Sequence, residues 1–456
     1  MNSYSPTWAV TLNTFFVFLT LLSFCNTVSA QFDSSHTPEI SEIKRLPDDE
    51  LADKKEGLYF TGVPDFSADP LNGFGYGLEG TLFFNGKKSD HLFAYTPYRQ
   101  KLDIALFNTT KNAKELSLKL DIPYIGNTPW RLRTEIILET NPNLVYFGNT
   151  SKSLEGLNFY ENGDSSAKYI QNGSYSGYEK SLVNNRAHYN DFIKKESVIN
   201  VSLERSLMEG KARWLIGYEF AKFNNASIAN FGNVVKDSKL LEDVNKNGVL
   251  GLGDGHINMV QIGLVYDTRN LETDPSNGYF AEITHETSLK IIGSGFDFSK
   301  TFAQIRGYHQ ILKKYFKKQV FAWRTGAGIT SGNAPFFEYA DEWSSEGSIE
   351  GLGGTNTLRG YKQSRFMAPI MNFNNFELRS QFWSGKAFHQ HLAMSAVPFF
   401  DFGGCWDNFS KLNTSNYRYN SGLGLRIAWN VNTILRFDYA VSKEDNQFFF
   451  QMNHTF

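Results

Sequence analysis

The strongest constraint on this sequence is a period-two alternation of residue type that runs from Leu58 to the last residue. In segments such as 214–221, 321–329 and 435–441, apolar or aromatic residues occupy every second position, with charged residues, alanine or glycine between most of them. Successive side chains of a β-strand point to opposite faces, so this pattern predicts strands with one apolar and one polar face. The segments are about 9–11 residues long, the length that a tilted strand needs to cross a bilayer.

Composition favours a membrane barrel over a soluble β-sandwich, the main alternative for such strands. The chain has 40 Phe and 22 Tyr, and many of these aromatic residues lie towards the ends of the segments. Outer-membrane barrels carry aromatic girdles at both membrane interfaces. At about 25 residues per strand with its connection, residues 58–456 give about 16 strands. We therefore predict an all-β fold, a transmembrane antiparallel β-barrel of about 16 strands.

Residues 1–30 have the features of a signal peptide. Residues 12–24 form an apolar run, and small residues at 28–30 precede a cleavage point. This run is shorter than the ~20 residues of a membrane-spanning helix, and no later run is longer, so a membrane location requires a barrel. The polar stretch 31–57 predicts a short periplasmic tail or plug, and residues 58–456 the barrel itself.

Charge and cysteine content exclude several classes of function. The chain has 45 Lys+Arg against 47 Asp+Glu without a basic block, so nucleic acid is not an expected partner. Removal of the signal peptide leaves Cys405 alone, which rules out an internal disulfide. The histidines are scattered, without a nucleophile or acid at a useful spacing. We expect no enzymatic activity and no cofactor apart from the calcium ion considered below.

One glycine-rich stretch, GLGGTNTLRGY at 351–361, is the main candidate for a functional loop. Glycine clusters occur where the backbone needs positive φ or approaches other atoms closely. Glu377 and Asp401 lie on later segments among large apolar residues, so both acids should face the lumen. We predict an inward-folded loop held by an ion pair of Arg359 with Glu377 and Asp401. The alternatives are a surface hairpin turn and acids that contact only lumenal water.

The turn DTRNLETDPSNG, at 267–278, connects two alternating segments. Asp267, Arg269 and Asp274 suit a tight, hydrogen-bonded turn, and an ordinary hairpin is the simpler interpretation. The final segment places Phe450, Met452, His454 and Phe456 on one predicted face. A terminal strand that ends on an aromatic residue is typical of the signal by which exported barrels are recognised.

A candidate calcium loop lies at 243–254. Oxygen side chains or a carbonyl at alternate positions, a glycine at the sixth position and an acid at the twelfth suit calcium. The predicted ligands are Asp243, Asn245, Asn247, the carbonyl of Val249 and Asp254. The same DxNxNG pattern is also a good turn, which is the alternative.

Taken in order, DTRN, PSNGYF, GLGGTNTLRGY, NNFELR, FFDFGGCW, GLGLRIAWNVNTILRFDYA and a terminal Phe resemble the outer-membrane protein assembly factor family, also called bacterial surface antigens. That family includes barrel-assembly and two-partner secretion translocases. The resemblance is specific over residues 266–456 and weaker over 58–255. It implies that the loop after strand eleven folds through the lumen, with Arg359, Gly360 and Tyr361 at its tip. It also implies a weakly paired seam between the first and last strands.

The resemblance further implies insertion or translocation of proteins at the outer membrane of a Gram-negative bacterium. The expected partners are outer-membrane lipid, a polypeptide client and a periplasmic accessory protein. Translocases of the family normally carry periplasmic polypeptide-transport-associated domains, and only the tail 31–57 stands before the first predicted strand here. The alternative is therefore a passive channel or structural barrel without client-handling activity.

Overall fold

A computed structural model describes residues 39–46, 48–69, 72–228, 237–315, 317–387, 390–429 and 433–456. The signal peptide expected at residues 1–30 lies outside this range. Among the described residues, every helix is too short or too polar to cross a membrane.

Sixteen strands form one antiparallel sheet in which each strand pairs with its neighbours along the chain. This up-and-down order confirms the predicted all-β barrel. The strands are β1 (Leu58–Asp69), β2 (Gly73–Phe84), β3 (Gln100–Thr109), β4 (Lys114–Ile122), β5 (Trp130–Val145), β6 (Asp191–Leu207), β7 (Ala212–Ser227), β8 (Gly253–Asp267), β9 (Gly278–Ser288), β10 (Phe298–Gln310), β11 (Gln319–Gly332), β12 (Ile370–Ala387), β13 (Gln390–Trp406), β14 (Arg418–Trp429), β15 (Thr433–Val441) and β16 (Asn446–Met452).

The two faces of the sheet differ as the alternation predicts. On β8, Val260, Ile262 and Leu264 are exposed on the outer face, whereas Gln261 between them is fully buried in the lumen. An apolar outer face can contact lipid hydrocarbon, and a polar inner face can carry ion pairs and hydrogen bonds.

The first and last strands meet at a seam. Cα atoms of β1 and β16 approach within 8 Å of each other. The sheet order nevertheless begins at β1 and ends at β16, and the described residues of these two strands form no backbone ladder with each other. Since β16 has 7 residues and β1 has 12, part of the β1 edge extends beyond its neighbour.

The connections differ between the two ends of the barrel. The start of β1 and the end of β16 lie at the same end of the barrel as short turns such as 208–211 and 268–277, whereas the other end carries the long connections 146–190, 228–252 and 333–369. Outer-membrane barrels have short periplasmic turns and longer extracellular loops, which orients the molecule. In the described part of the chain, the α-helices are α1 (Asp48–Asp53), α2 (Tyr175–Ser181) and α3 (Lys239–Asn247).

The segment before β1 packs against the periplasmic end of the barrel. The Leu46 side chain is buried, and its N–H donates to the carbonyl of Ala94 at 2.8 Å. The Lys54 ammonium donates to the carbonyls of Phe93 and Thr96, both at 2.6 Å. These contacts tie residues 39–57 to the turn between β2 and β3, so the segment forms a cap on this end.

Candidate functional site: the lumenal arginine cluster

The connection 333–369 between β11 and β12 folds into the lumen, and its glycine-rich part makes a compact turn. Gly353 and Gly354 have φ of 113° and 90°, which favour glycine. A Cβ at Gly353 would lie 2.0 Å from the carbonyl oxygen of Lys362, so a larger residue cannot fit there. The Thr357 hydroxyl accepts from the Gly353 N–H and donates to the Gly351 carbonyl. These contacts fix the backbone that presents Arg359.

Arg359 is fully buried and contacts three carboxylates. Its Nε and Nη2 donate to the two oxygens of Asp401 at 2.9 and 2.8 Å, a bidentate contact. Its Nη1 donates to Glu377 at 2.7 Å and to Asp438 at 3.0 Å. The guanidinium carbon also lies 3.5 Å from the centre of the Phe399 ring. The structure thus brings together Arg359, Glu377 and Asp401, and adds Asp438 to them.

Two further arginines balance two of these acids and complete the group that we call the arginine cluster: Arg359, Glu377, Asp401, Asp438, Arg379 and Arg426. Arg379 donates to the second oxygen of Glu377 at 2.9 Å, and Arg426 donates to both Glu377 and Asp438. These arginines lie on the lumenal faces of β12 and β14, at alternate positions that the sequence marks as polar. Sequence reasoning did not assign them to the cluster, although the alternation in FELR and GLGLR places both in the lumen.

Asp401 is balanced differently. Besides Arg359, it accepts from the side-chain amides of Asn375 and Asn420, each at 2.8 Å. Arg359 is therefore its cationic partner within the described cluster. A buried carboxylate without a cation is strongly disfavoured, so this pair fixes the position of the loop.

The two residues after Arg359 pack against the last strands. A Cβ at Gly360 would lie 2.6 Å from the Asn420 Cβ, so this position requires glycine for close approach to β14. Tyr361 is buried, and its hydroxyl donates to the carbonyl of Tyr419 at 3.2 Å. The two side-by-side residues thus hold the loop against the wall formed by β14.

Arg365 makes a second anchor, which sequence reasoning did not identify. Its Nε and Nη2 contact the two oxygens of Glu444 at 2.9 and 3.1 Å. Its Nη1 donates to the Ser153 carbonyl at 2.6 Å. The inward loop is thereby joined to the long connection 146–190 and to the turn between β15 and β16.

The C-terminal residues depart from the predicted single face. β16 ends at Met452, and Asn453 has a φ of 66°, which turns the chain out of the sheet. Phe450 and Met452 belong to the strand, whereas Phe456 is buried in the lumen. The prediction that the last aromatic residue shares their face is therefore wrong.

The residues after this turn join the arginine cluster. The Thr455 hydroxyl accepts from Arg436 at 2.7 Å and donates to Glu377 at 3.2 Å. The Phe456 main-chain oxygen accepts from Arg379 at 2.8 Å. The last residues therefore close the periplasmic side of the cluster.

The turn after β8 forms a related ionic centre at the periplasmic end. Arg269 donates from its backbone and side chain to Asp267, both at 3.0 Å, as a hydrogen-bonded turn requires. Asp267 also pairs with Lys44 of the N-terminal segment at 3.1 Å. Arg269 in turn contacts Glu346 of the inward loop. Asp274 contacts Lys318 of the neighbouring turn.

The predicted calcium loop is not formed, because residues 239–247 are helical. Ser238 caps the first turn of α3, and Gly248 ends the helix with a φ of 68°. The Asp243 carboxylate accepts from Tyr146 at 3.0 Å and from Asn247 at 2.9 Å. Asn245 lies within the helix, Val249 follows its end, and Asp254 lies on β8.

This arrangement removes the geometric basis of the calcium prediction. Among the described residues, no group of three or more His, Cys, Asp or Glu side chains is placed to hold a metal ion. An EF-hand-like loop needs its ligands to converge from an irregular backbone, which a helix from 239 to 247 prevents.

Comparisons with known proteins agree with this architecture. Residues 100–456 match the Omp85 superfamily domain, and residues 36–99 match a domain of unknown function, DUF5982. The outer membrane protein assembly factor BamA of Nitratidesulfovibrio vulgaris is 24% identical over 212 residues, which are 43% of this chain and 24% of that protein. The chain thus spans about a quarter of the length of this curated relative.

Two solved barrels align with most of this chain. CdiB from Escherichia coli aligns with a TM-score of 0.51 and 10% identity over 90% of this chain and 63% of CdiB. BamA from Haemophilus ducreyi lacking POTRA domains 1-3 aligns with a TM-score of 0.49 and 15% identity over 88% of this chain and 70% of that chain. Because the family model matches residues 100–456, more than half of the chain, the chain belongs to the Omp85 superfamily, and it is an outer-membrane β-barrel of a Gram-negative bacterium.

Proposed function

We propose that this barrel inserts polypeptides into the outer membrane, or moves them across it, through the seam between β1 and β16. The observation that carries the proposal is the absence of a ladder between the described residues of these two strands. A strand edge presents free N–H and C=O groups, which is the usual template for addition of another strand. A client strand paired with β1 would place its apolar side chains directly in lipid.

The filling of the lumen supports a lateral route over a central one. The inward loop is anchored to the barrel wall at several depths. Glu338 contacts Lys300 at 2.8 Å, Glu346 contacts Arg269, and Arg359 contacts Glu377. A passive channel, the alternative, needs an open lumen. The buried ionic contacts of this loop therefore favour a barrel that handles clients at its wall.

The name of one relative supports a role in protein insertion. The Nitratidesulfovibrio protein is named an outer membrane protein assembly factor. By analogy, the proposed partners are a polypeptide client, outer-membrane lipid and a periplasmic accessory protein that delivers the client. The role is non-enzymatic, since strand addition requires only backbone hydrogen bonds and apolar burial.

Site-specific photocrosslinking in native membranes tests the proposal. A photoreactive amino acid replaces Phe60 on the edge strand β1, and in a matched control it replaces Leu264 on β8, on the continuous part of the sheet. The two side chains are equally exposed, at 62% and 61%. We expect polypeptide adducts at position 60 and only lipid adducts at position 264.

Equal polypeptide adducts at both positions, or none at either, would contradict the proposal. Single-channel recording then separates the alternative. A steady, large, ohmic conductance of the unmodified barrel would indicate a passive channel, whereas a filled lumen predicts small, intermittent currents.

A further inference from the structure

The turn between β10 and β11 carries an unusual concentration of positive charge, in the sequence ILKKYFKK from 311 to 318. The side chains of Lys313, Lys314 and Lys317 are exposed. Lys318 pairs with Asp274, but among the described residues none of the other three has a carboxylate within 4.0 Å. The turn therefore has a local excess of positive charge.

Apolar side chains are exposed beside these lysines. Tyr315 is 73% exposed, and Leu312 is also exposed. Leu312 has a φ of 49°, a conformation that is costly for a residue with a branched side chain. An ordinary surface turn avoids both exposed apolar side chains and a leucine with positive φ. This turn has both, and Leu312 is exposed to solvent as a result.

The end of β12 completes the same patch. The Gln381 N–H donates to the Lys318 carbonyl, and the Lys317 ammonium donates to the Ser384 hydroxyl, both at 2.9 Å. The register of β12 shifts between Gln381 and Trp383, as at a β-bulge, and such a shift re-aims neighbouring side chains. The shift leaves both Phe382 and Trp383 exposed.

We refer to this patch as the basic rim. It consists of Leu312, Lys313, Lys314, Tyr315, Lys317, Phe382 and Trp383. It lies at the end of the barrel with the short turns and the start of β1, which is the periplasmic end. Exposed aromatic residues with long basic side chains are typical of the membrane–water interface, where rings lie at the headgroup level and ammonium groups reach phosphates.

We propose that the basic rim binds anionic phospholipids of the periplasmic leaflet. The lysines contact the phosphate-bearing headgroups, and the aromatic side chains lie in the adjoining interface. Charge complementarity favours this occupant, because the rim presents three lysines without a carboxylate partner in the described structure. Each lysine near an anionic surface adds attraction of about 1 kcal/mol, which is about fivefold in affinity.

Native mass spectrometry of the full chain tests this proposal. The barrel is released from mixed micelles that contain phosphatidylglycerol and phosphatidylcholine in equal amounts, and bound lipids are counted. The variant is Lys313→Gln with Lys314→Gln. The matched control is Lys87→Gln with Lys88→Gln, which removes two adjacent exposed lysines from the turn between β2 and β3 at the same end. Heat-modifiability on gels verifies that both variants fold.

We expect the parent and the control to prefer phosphatidylglycerol, and the rim variant to lose this preference by about tenfold or more. High salt should weaken binding to the parent, because the attraction is electrostatic. An unchanged preference in the rim variant, or an equal loss in the control, would overturn the proposal. If the basic rim instead binds an acidic peptide, polyglutamate, and shows no preference between the two lipids, its occupant would be an acidic protein and not a phospholipid.

Discussion

Replacement of Arg359 by glutamine tests whether the arginine cluster fixes the inward loop. The substitution removes the charge and retains a polar side chain of moderate length. It leaves Glu377 and Asp438 with their other arginines, but it removes the cation from Asp401, which keeps two asparagine amides and the backbone N–H of residue 359 as donors. The main cost therefore falls on Asp401.

The expected loss follows from the burial of this pair. Removing one partner from a buried ion pair costs about 3–5 kcal/mol, because the remaining charge stays buried without compensation. Both Arg359 and Asp401 are fully buried, so solvent cannot screen the orphaned carboxylate. We expect about 3–5 kcal/mol for Arg359→Gln. Addition of Asp401→Asn should recover about 1–3 kcal/mol, since it removes the orphaned charge.

The assay is urea unfolding of the purified barrel in detergent, followed by intrinsic tryptophan fluorescence and by heat-modifiability on gels. Arg205→Gln is the control, because Arg205 is exposed at the end of β6, and its loss, including a cation–π contact with Trp130 at 5.5 Å, should change stability by less than about 1 kcal/mol. Arg359→Lys should lie between the parent and Arg359→Gln, because lysine keeps the charge but loses the bidentate geometry. Equal unfolding midpoints for Arg359→Gln and Arg205→Gln would refute the structural role of the cluster.

Three further predictions concern the two ends of the molecule. Partial burial raises the pKa of Asp407, but hydrogen bonds from Lys411 and Ser151 outweigh it, so the pKa lies below its usual value. The contact of Asp407 with the connection 146–190 is therefore present above about pH 4 and is lost as pH falls through the lowered pKa. Proteolysis of 146–190 should accelerate at that acid pH in the parent, and at all pH values in Asp407→Asn. Lys44→Met should free the N-terminal segment from Asp267, and hydrogen exchange at residues 41–46 should accelerate, whereas an unchanged rate would show that the ion pair does not hold the cap. Thr455→Val should cost about 1–3 kcal/mol in the same urea assay, because it removes the hydroxyl that accepts a hydrogen bond from the buried Arg436.

Local patterns in the sequence predict the barrel and part of its cluster. Alternation determines which face each side chain occupies, so it correctly places Glu377 and Asp401 in the lumen. It places Asp438 and Arg426 there as well. Which of the lumenal residues meet Arg359 depends on the stagger of the strands and the path of the loop, and neither is encoded in the alternation of a single strand.

The two errors have separate physical causes. The calcium spacing at 243–254 coincides with helix signals: Ser238 is a good N-cap, Gly248 a good C-cap, and the buried Leu240 anchors the helix between them. At the C-terminus, alternation alone assumes that the strand continues. Asn453 tolerates a left-handed conformation, and the arginine-rich lumen provides partners for Thr455, so the chain turns inward instead.

The arginine cluster also makes the two sides of the seam unequal. Its acids lie on β12, β13 and β15, an arginine lies on β14, and Thr455 follows β16, so one network joins five consecutive strands. On the other side, the lumenal contacts of Asp103 on β3 with Thr81 and Lys101 join the same or adjacent strands. A second ionic network begins at β4, with Asp121 paired to Arg131, and continues to β7. Opening of the seam should therefore move the β1 side, while the β16 side stays with the loop.

Hydrogen exchange of the intact barrel measures this difference. Backbone amides open locally in proportion to the stability of the unit that holds them. We expect amides of β1–β3 to exchange faster than those of β12–β15, and Arg359→Gln to reduce the difference by accelerating exchange in β12–β15. Because the strands of both groups are held by similar backbone ladders, equal protection in the parent would mean that the buried ion pairs add no rigidity to the C-terminal wall. Faster exchange in β12–β15 than in β1–β3 would reverse the assignment and place the moving edge at β16.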